Sequence, residues 1–265
     1  MIFFLKWGDK MKYDIKIPDP KIEGKHPKNI KDILYRRSDL STFVVHLTKD
    51  KDSLIGIVSS WTIEARNIWG LAKNKIKDNS PEAESQKCVC FTETPLEYIH
   101  QMVGQIKGRS YELGSYGIAI TKRLARNKGV NPVWYVDISP DNNRDKWITK
   151  YIEELIEQGK KSEKGFTGHP IAQIVPFVEP MGKGNNQETG EPYRKEFWWE
   201  REWRHVGDFN LPNHVVIICP EEDFHEFEEL FQDKDWKPKC IDSDWGLEKI
   251  IARLAGFSNE EIDNL

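Results

Sequence analysis

The chain has 265 residues, of which 38% are hydrophobic and ten are tryptophan, and this apolar content excludes a generally disordered chain. The 39 basic and 43 acidic residues leave a net charge of −4, so no overall positive field favours nucleic-acid binding. No apolar run approaches the roughly 18 residues of a membrane span, and residues 1–10 lack the apolar core of a secretory signal. With only four cysteines, we expect a soluble cytoplasmic protein that has no membrane contact.

Residues 1–40 show neither helical nor strand periodicity, and they contain Pro18, Pro20 and Pro27. Because proline fixes the backbone and removes a hydrogen-bond donor, this pattern predicts an extended arm. From residue 41 onward, regular elements follow one another without a break in composition. We therefore predict a single α+β domain over residues 41–265.

Runs of β-branched and aromatic residues, bounded by turn residues, predict the strands of this domain. Such runs lie at residues 42–48, 87–91, 116–121, 132–137, 171–178, 196–206, 214–219 and 237–241. Apolar residues spaced three to four apart predict the helices. We expect these at residues 52–61, 94–103, 141–159, 220–231 and 243–256, with a short basic helix after Thr121. Together the elements predict a mixed or antiparallel central sheet of about seven strands with flanking helices.

Residues 181–192 contain three glycines and have no apolar period, which predicts a loop without regular structure. A loop of this length is either filler or a binding loop. Its position just before the strand predicted at residues 196–206, which contains Glu200 and Glu202, favours a binding loop.

The stretch at residues 196–206, EFWWEREWRHV, is dense in aromatic and charged side chains. If it is one strand, Glu200 and Glu202 share a face at a spacing of roughly 7 Å, and each raises the cost of ionising the other. Arg204 falls on the same face and is placed to compensate them. Two glutamates flanked by tryptophans are costly to bury without a partner or a task. The alternative is an exposed edge strand with an Arg–Glu ladder.

Several segments, taken in order, resemble a known family. They are FVVHLTKD, CVCFTETPL, YGIAITK, NPVWYVD and EFWWEREWRHVGDFNLPNHVVIICPE, between about residues 41 and 220. They are similar to the AbiGi-type abortive-infection proteins of bacterial phage defence, with CFTETPL, YGIAITK and WEREWR the most specific phrases. The family is described as an antitoxin component, so the resemblance implies phage defence and a partner toxin or antitoxin.

The chain also resembles ADP-ribosyltransferase folds, including DarT-type enzymes that modify DNA. Those folds carry a His or Arg on the first core strand, an aromatic residue or Ser on a middle strand, and a late Glu-x-Glu strand after an acceptor-binding loop. This chain matches with His46, Tyr116, Glu200 and Glu202 in that order, although it lacks a Ser-Thr-Ser middle motif. The resemblance implies an ADP-ribosyltransferase-like fold that takes NAD as a substrate and has a macromolecular acceptor, nucleic acid included.

The resemblance assigns the catalytic roles to the two glutamates. Glu202 would stabilise the positive charge that develops when nicotinamide leaves the ribose. Glu200 would orient or deprotonate the acceptor, a task for which a raised pKa is favourable.

The resemblance assigns NAD binding to residues farther up the chain. His46, if neutral, would bind a ribose hydroxyl, and Tyr116 would stack on the nicotinamide ring. Arg36 and Arg37 would hold the pyrophosphate by charge-assisted hydrogen bonds. Each has a structural alternative: a hydrogen-bonded histidine, a packed tyrosine and solvated arginines.

Two other functions stay open on the sequence alone. A Mg²⁺-dependent nuclease would use Glu93, Asp137, Glu200 and Glu202, but no acidic residue followed by a Glu-x-Lys pattern supports it. A non-enzymatic antitoxin would use its aromatic and basic strands to bind a partner, with the glutamates in salt bridges to neighbouring arginines. Our hypothesis is a phage-defence protein whose ADP-ribosyltransferase-like site binds and cleaves NAD, with no metal.

Overall fold

Strands and helices alternate through the residues that the structure, a computed structural model, describes: 39–73, 75–109, 111–139, 146–185, 190–232 and 235–263. The strands are β1 (Phe43–Thr48), β2 (Thr62–Ile63), β3 (Asn67–Ile68), β4 (Lys87–Thr92), β5 (Tyr116–Thr121), β6 (Asn131–Pro132), β7 (Trp134–Asp137), β8 (Val178–Asn185), β9 (Pro192–Lys195), β10 (Glu202–Val206), β11 (Phe209–Asn210), β12 (Val216–Ile218) and β13 (Lys239–Ile241). The α-helices are α1 (Lys51–Ser60), α2 (Gly70–Lys73), α3 (Lys122–Asn127), α4 (Lys146–Lys160), α5 (Phe224–Glu229), α6 (Leu247–Ala255) and α7 (Asn259–Asp263). Short 3₁₀ helices lie at Ala83–Gln86, Leu96–Met102, Pro170–Gln173, Val175–Phe177, Trp198–Glu200 and Glu221–Asp223.

The central sheet has the strand order β13-β12-β5-β1-β4-β10-β6, and β3 also pairs with β4. Neighbouring strands run antiparallel, except that β12 and β13 are parallel. The predicted α+β class with a mixed, mostly antiparallel sheet is therefore confirmed. The two smaller sheets in the described residues pair β11 with β2 and order β7-β8-β9.

The central sheet opens between β1 and β4. These strands share one register pair in the described residues, Val45 with Thr92, whereas β1 and β5 pair along their whole length. Beyond that pair, the His46 side chain bridges the strands, since its Nδ1 lies 2.8 Å from the carbonyl oxygen of Cys90. A gap thus forms in the middle of the sheet rather than at its edge.

Two apolar cores support the sheets. The larger core packs β1, β4, β5 and β12 against helices α1, α5 and α6, and it includes the buried Ile118, Ile120 and Phe227. The smaller core packs α4 against β7, β8 and the 3₁₀ helices that precede β8, through residues such as Ile156 and Val178. This second core positions β8, on which Glu179 contacts Arg204 of β10.

The predicted strand at residues 171–178 is wrong, because the chain forms two 3₁₀ helices there before β8 begins. Pro170 and Pro176 lack the N–H that a paired strand needs, and each lies at a helix start. Ile171 and Val175 are buried four residues apart in the smaller core, a helical rather than a strand spacing.

The loop predicted at residues 181–192 is also wrong for its described part, because residues 182–185 of β8 pair with residues 192–195 of β9. This pairing is made by backbone hydrogen bonds and not by apolar side chains, so the sequence of this segment has no apolar period that would predict a strand. Gly182 has a φ of +107°, and a Cβ there would clash with side-chain oxygens of Asp137 and Ser139. The glycine is therefore a packing requirement and not a sign of a loop.

The predicted strand at 132–137 is divided between β6 of the central sheet and β7 of the smaller sheet. The helix predicted at 94–103 is the 3₁₀ helix Leu96–Met102, with Leu96, Ile99 and Met102 buried as expected. The described residues form one compact unit. Residues 1–38 lie outside the described residues, so the arm stays a prediction. Among the helices of the described part of the chain, none has the length and hydrophobicity of a membrane span.

Candidate functional site

A pocket of about 300 Å³ lies where β1 and β4 separate. Consecutive residues 45–49 of one segment and 88–92 of the other line it, together with residues from the segments around them. The lining includes two carboxyl groups, two aromatic rings and a histidine: Glu200, Glu202, Trp69, Tyr111 and His46. It also includes two basic residues, Lys49 after β1 and Arg66 after β2. The structure thus places three of the predicted site residues, His46, Glu200 and Glu202, in one pocket.

His46 is a neutral hydrogen-bonding group in the wall of the pocket. Its Nδ1 faces the carbonyl oxygen of Cys90, which can only accept, so Nδ1 carries the proton and donates it. Burial lowers the pKa of His46. Nε2 is therefore an acceptor, which suits a hydroxyl donor such as that of a sugar.

The residues before β10 form a tight turn and not the predicted continuous strand. Trp198–Glu200 is a 3₁₀ helix, and Arg201 follows with left-handed backbone angles, φ 49° and ψ 54°. The Thr92 hydroxyl donates to the Glu200 carbonyl oxygen over 2.5 Å, and the Glu93 N–H donates to the Arg201 carbonyl oxygen over 3.1 Å. The turn is thus held by the end of β4, and the Glu200 side chain lines the pocket beside Glu202.

Glu93 anchors this turn from a buried position. Its carboxylate accepts hydrogen bonds from Lys122 over 2.9 Å, Arg201 over 3.2 Å and the Trp203 indole over 2.8 Å. A left-handed conformation is strained for arginine, and these bonds offset the strain. Glu93 therefore fixes the geometry of Glu200 without lining the pocket.

Glu202 is held in a buried ion pair. Its two oxygens accept from Nε and Nη2 of Arg204, each over 2.8 Å, and Arg204 is 1% exposed. Arg204 also donates to Glu179 over 2.5 Å and to the Pro176 carbonyl over 2.7 Å, and Lys195 contacts Glu179. Such a bidentate pair fixes the Glu202 carboxylate in place. The predicted compensation by Arg204 is present, although it leaves less of the Glu202 charge available to a ligand.

Glu200 differs from Glu202 in that no described residue donates a hydrogen bond to its carboxyl group. Its side chain is 12% exposed, and Oε1 is buried without a hydrogen-bond partner among the described residues. The nearest cation is Arg109, whose Nη1 lies 3.7 Å from Oε1. Burial raises the pKa of Glu200 to about 7, with the charges of Glu202 and Glu179 adding to the effect and Arg109 opposing it. A carboxyl with this pKa can both donate and accept a proton near neutrality.

Tyr116 is not among the residues that line this pocket. It pairs with Thr48 at the end of β1, and its hydroxyl donates to Asp223 over 2.7 Å, so its side chain is directed at another part of the fold. Tyr111 supplies an aromatic ring to the pocket instead, in an edge contact with Trp69. Arg36 and Arg37 lie outside the described residues, and their predicted role stays a prediction.

Two other chemistries fit the pocket less well. Burial and the charge of Glu202 raise the pKa of Cys90, so its thiol stays protonated and is a poor nucleophile. In the nuclease alternative, Glu93 is already bound to two cations and Asp137 bonds the backbone of Ser139. Within the described residues, no group of three or more His, Cys, Asp and Glu side chains is arranged to hold a metal ion.

Several residues of this site were not predicted, because no local pattern marks them. Trp69 follows a two-residue strand, and Tyr111 and Arg109 lie between short turns without a period. Glu179 lies on β8, between the strand predicted at residues 171–178 and the loop predicted at residues 181–192. Only contacts between distant segments bring these residues to the two glutamates.

Comparison with known proteins gives one family. Residues 56–234, more than half of the chain, match the family model described as "Putative abortive phage resistance protein AbiGi, antitoxin". The abortive phage resistance protein AbiGi of Lactococcus lactis subsp. cremoris is 25% identical over 158 residues, which is 56% of this chain and 61% of the relative. No solved structure is a significant match. On the extent of the family match, the chain belongs to the AbiGi family of abortive phage resistance proteins.

Proposed function

We propose that this chain acts in phage defence as an enzyme that cleaves NAD and transfers ADP-ribose to a macromolecule. The observation that carries the proposal is the unequal pair of glutamates in one pocket: Glu202 is fixed by two hydrogen bonds from Arg204, whereas Glu200 Oε1 has no hydrogen-bond partner among the described residues and its pKa is raised to about 7. Two neighbouring carboxyl groups in such different environments are typical of acid–base sites. The family supports the defence role.

The pocket offers features that suit the nicotinamide riboside part of NAD. Trp69 and Tyr111 provide aromatic surface, and His46 Nε2 can accept from a ribose hydroxyl. A volume of about 300 Å³ is at the lower end for ligand pockets, so the rest of the dinucleotide would extend outward. Lys49 and Arg66 are exposed residues of the lining and would meet its phosphates there.

The proposed reaction needs one bond broken, one formed and one proton moved. The bond between the ribose C1′ and the nicotinamide nitrogen breaks, and its electron pair leaves with nicotinamide, which becomes neutral. The acceptor atom bonds to C1′, and Glu200 takes the proton that the acceptor loses. Glu202 stabilises the positive charge on the sugar between these events, as a carboxylate does in glycoside hydrolysis.

The test is nicotinamide release from NAD, with single-stranded DNA, RNA and a protein lysate offered as acceptors. We expect release by the wild type and a loss of at least about 10²-fold in Glu200→Gln, the usual contribution of a general acid or base. Glu196→Gln is the matched control, because Glu196 is a surface residue paired with Arg194. A folded wild type that neither binds NAD nor releases nicotinamide with any acceptor would refute the proposal.

A second candidate is an antitoxin that binds its toxin without catalysis. The specific observation is the turn before β10, where Trp198 is 56% exposed and Trp199 is 38% exposed. Adjacent exposed tryptophans are typical of binding surfaces. Co-expression with the toxin of the same defence system would test this function: Trp198→Ser should weaken the complex while Glu200→Gln leaves it unchanged.

A further inference from the structure

Arg109 is a buried cation whose hydrogen bonds all go to neutral groups. Its side chain is 2% exposed. Nε donates to the Tyr111 carbonyl oxygen over 3.2 Å, and Nη2 donates to the carbonyl oxygens of Met102 and Gly104 over 2.8 and 2.7 Å. Carbonyl groups orient a guanidinium but do not neutralise it, and a buried charge without a counter-ion is costly. These hydrogen bonds therefore fix Arg109 in place without neutralising its charge.

The remaining nitrogen of Arg109 faces Glu200. Nη1 and Glu200 Oε1 are both buried, both lack a hydrogen-bond partner among the described residues, and lie 3.7 Å apart. A charge-assisted hydrogen bond between such groups would be about 2.7–2.9 Å long. Because carbonyl bonds fix Arg109 and the Thr92 bond fixes the Glu200 backbone, a small side-chain rotation is enough to close the gap.

We propose that Arg109 is the positioning residue of Glu200: their contact closes when the Glu200 carboxyl releases its proton and opens when it takes one up. Each proton that Glu200 exchanges would thus be coupled to a movement of its carboxyl between the pocket and Arg109. The use of this movement in catalysis rests on the proposed function, whereas its existence does not.

Other charged and titratable groups also act on Glu200. Those coupled to it by charge are Tyr135 of β7, Glu179 of β8, Lys195 of β9, Glu202 of β10, and Tyr111. His46 of β1 and Cys90 of β4 line the same pocket, and Arg204 of β10 pairs with Glu202. Glu179 and Glu202 disfavour ionisation of Glu200 and Lys195 favours it, but these three are already in ion pairs. The phenols and the thiol stay neutral, because burial raises their pKa. Arg109 is therefore the group whose interaction is expected to change with the Glu200 proton.

The test is a pH titration by NMR of protein labelled with ¹³C at the glutamate carboxyls. The Glu200 signal is assigned by its absence from Glu200→Gln. In Arg109→Gln we expect the midpoint to rise by about one pH unit or more, a tenfold gain in proton affinity. Arg109→Lys keeps the charge and should shift the midpoint less. Lys107→Gln, at an exposed position of the same loop, is the matched control and should leave it unchanged.

A Glu200 midpoint that moves by less than about 0.3 pH unit in folded Arg109→Gln would overturn the proposal. If that variant does not fold, the wild type still decides the question. The ¹⁵Nη signals of Arg109 must then titrate with the same midpoint as Glu200, and independence of the two signals would equally overturn it. Neither measurement uses NAD, so failure of the proposed enzyme activity and failure of this coupling are distinguishable.

Discussion

Glu200 is expected to destabilise the folded protein at neutral and alkaline pH, and Glu200→Gln should reveal it. The folded state raises the pKa of this carboxyl from its ordinary 4.5 to about 7. Folded protein therefore favours the protonated form, and stability is lost as pH rises from 4.5 through 7. At about 1.4 kcal/mol per pH unit, the full penalty above pH 7 is about 3 kcal/mol. The side chain is 12% exposed, so solvent screening reduces it only in part.

The assay is urea unfolding of the wild type and Glu200→Gln, near pH 5 and near pH 8. A glutamine carries no charge at either pH, so we expect the variant to be about 1–3 kcal/mol more stable near pH 8 and almost equal to the wild type near pH 5. The range lies below the full penalty because glutamine does not compensate the charge of Arg109. At about 2–4 °C per kcal/mol, the melting temperature should also rise.

Glu202→Gln is the opposing control. It weakens the ion pair with buried Arg204, so it should destabilise by about 3 kcal/mol or more near pH 8. If Glu200→Gln is neutral or destabilising near pH 8, or if its gain in stability is the same at both pH values, then ionisation of the Glu200 carboxyl does not destabilise the folded protein. The assignment of acid–base chemistry to it would then lose its support.

Three further predictions concern the framework of the site. Arg204→Met removes the cation that pairs with Glu202 and leaves Glu179 with Lys195 alone, so it should cost about 3–5 kcal/mol in urea unfolding. Gly70→Ala should cost more than about 1 kcal/mol by the same assay, because φ is +66° and a Cβ would clash with the Val178 carbonyl oxygen, whereas Ala at the open Gly56 should not. Glu93→Gln should lower the free energy of unfolding by about 2 kcal/mol, because Arg201 loses its ion pair. It should also lower any NAD cleavage, because Glu93 anchors the turn that places Glu200, and full activity would contradict this anchoring role.

Sequence patterns predicted the parts of the fold that depend on local periodicity. Strand β1 with His46, strand β5 and helix α6 up to Gly256 follow apolar patterns that their own residues determine. The face shared by Glu202 and Arg204 was also predictable, because both lie within one real strand. Local sequence patterns were therefore enough to predict the class of the fold and the pairing of Glu202 with Arg204.

The geometry of Glu200 was not predictable in this way. The segment that contains it has the composition of a strand, yet it forms a 3₁₀ turn that ends in a left-handed arginine. What selects the turn is a set of bonds from Thr92 and Glu93, which precede it by 108 residues. The strand interpretation nevertheless placed both glutamates together, since the turn and the strand each bring residue 200 next to residue 202. Tyr116 shows the reverse case: its strand was predicted, but its neighbours in space were not.

His46 and Glu200 should give stability profiles of opposite slope, although they line the same pocket. Burial lowers the pKa of His46, so the folded protein resists its protonation, and stability is lost as pH falls below 6.5. Glu200 acts in the other direction over pH 4.5 to 7. The two effects therefore oppose each other in the wild type. Glu200→Gln should leave the His46 slope, with stability rising with pH, and His46→Gln should leave the Glu200 slope, with stability falling. Urea unfolding at intervals of pH measures both, and parallel profiles in the two variants would show that these groups are not buried together as an uncharged pair.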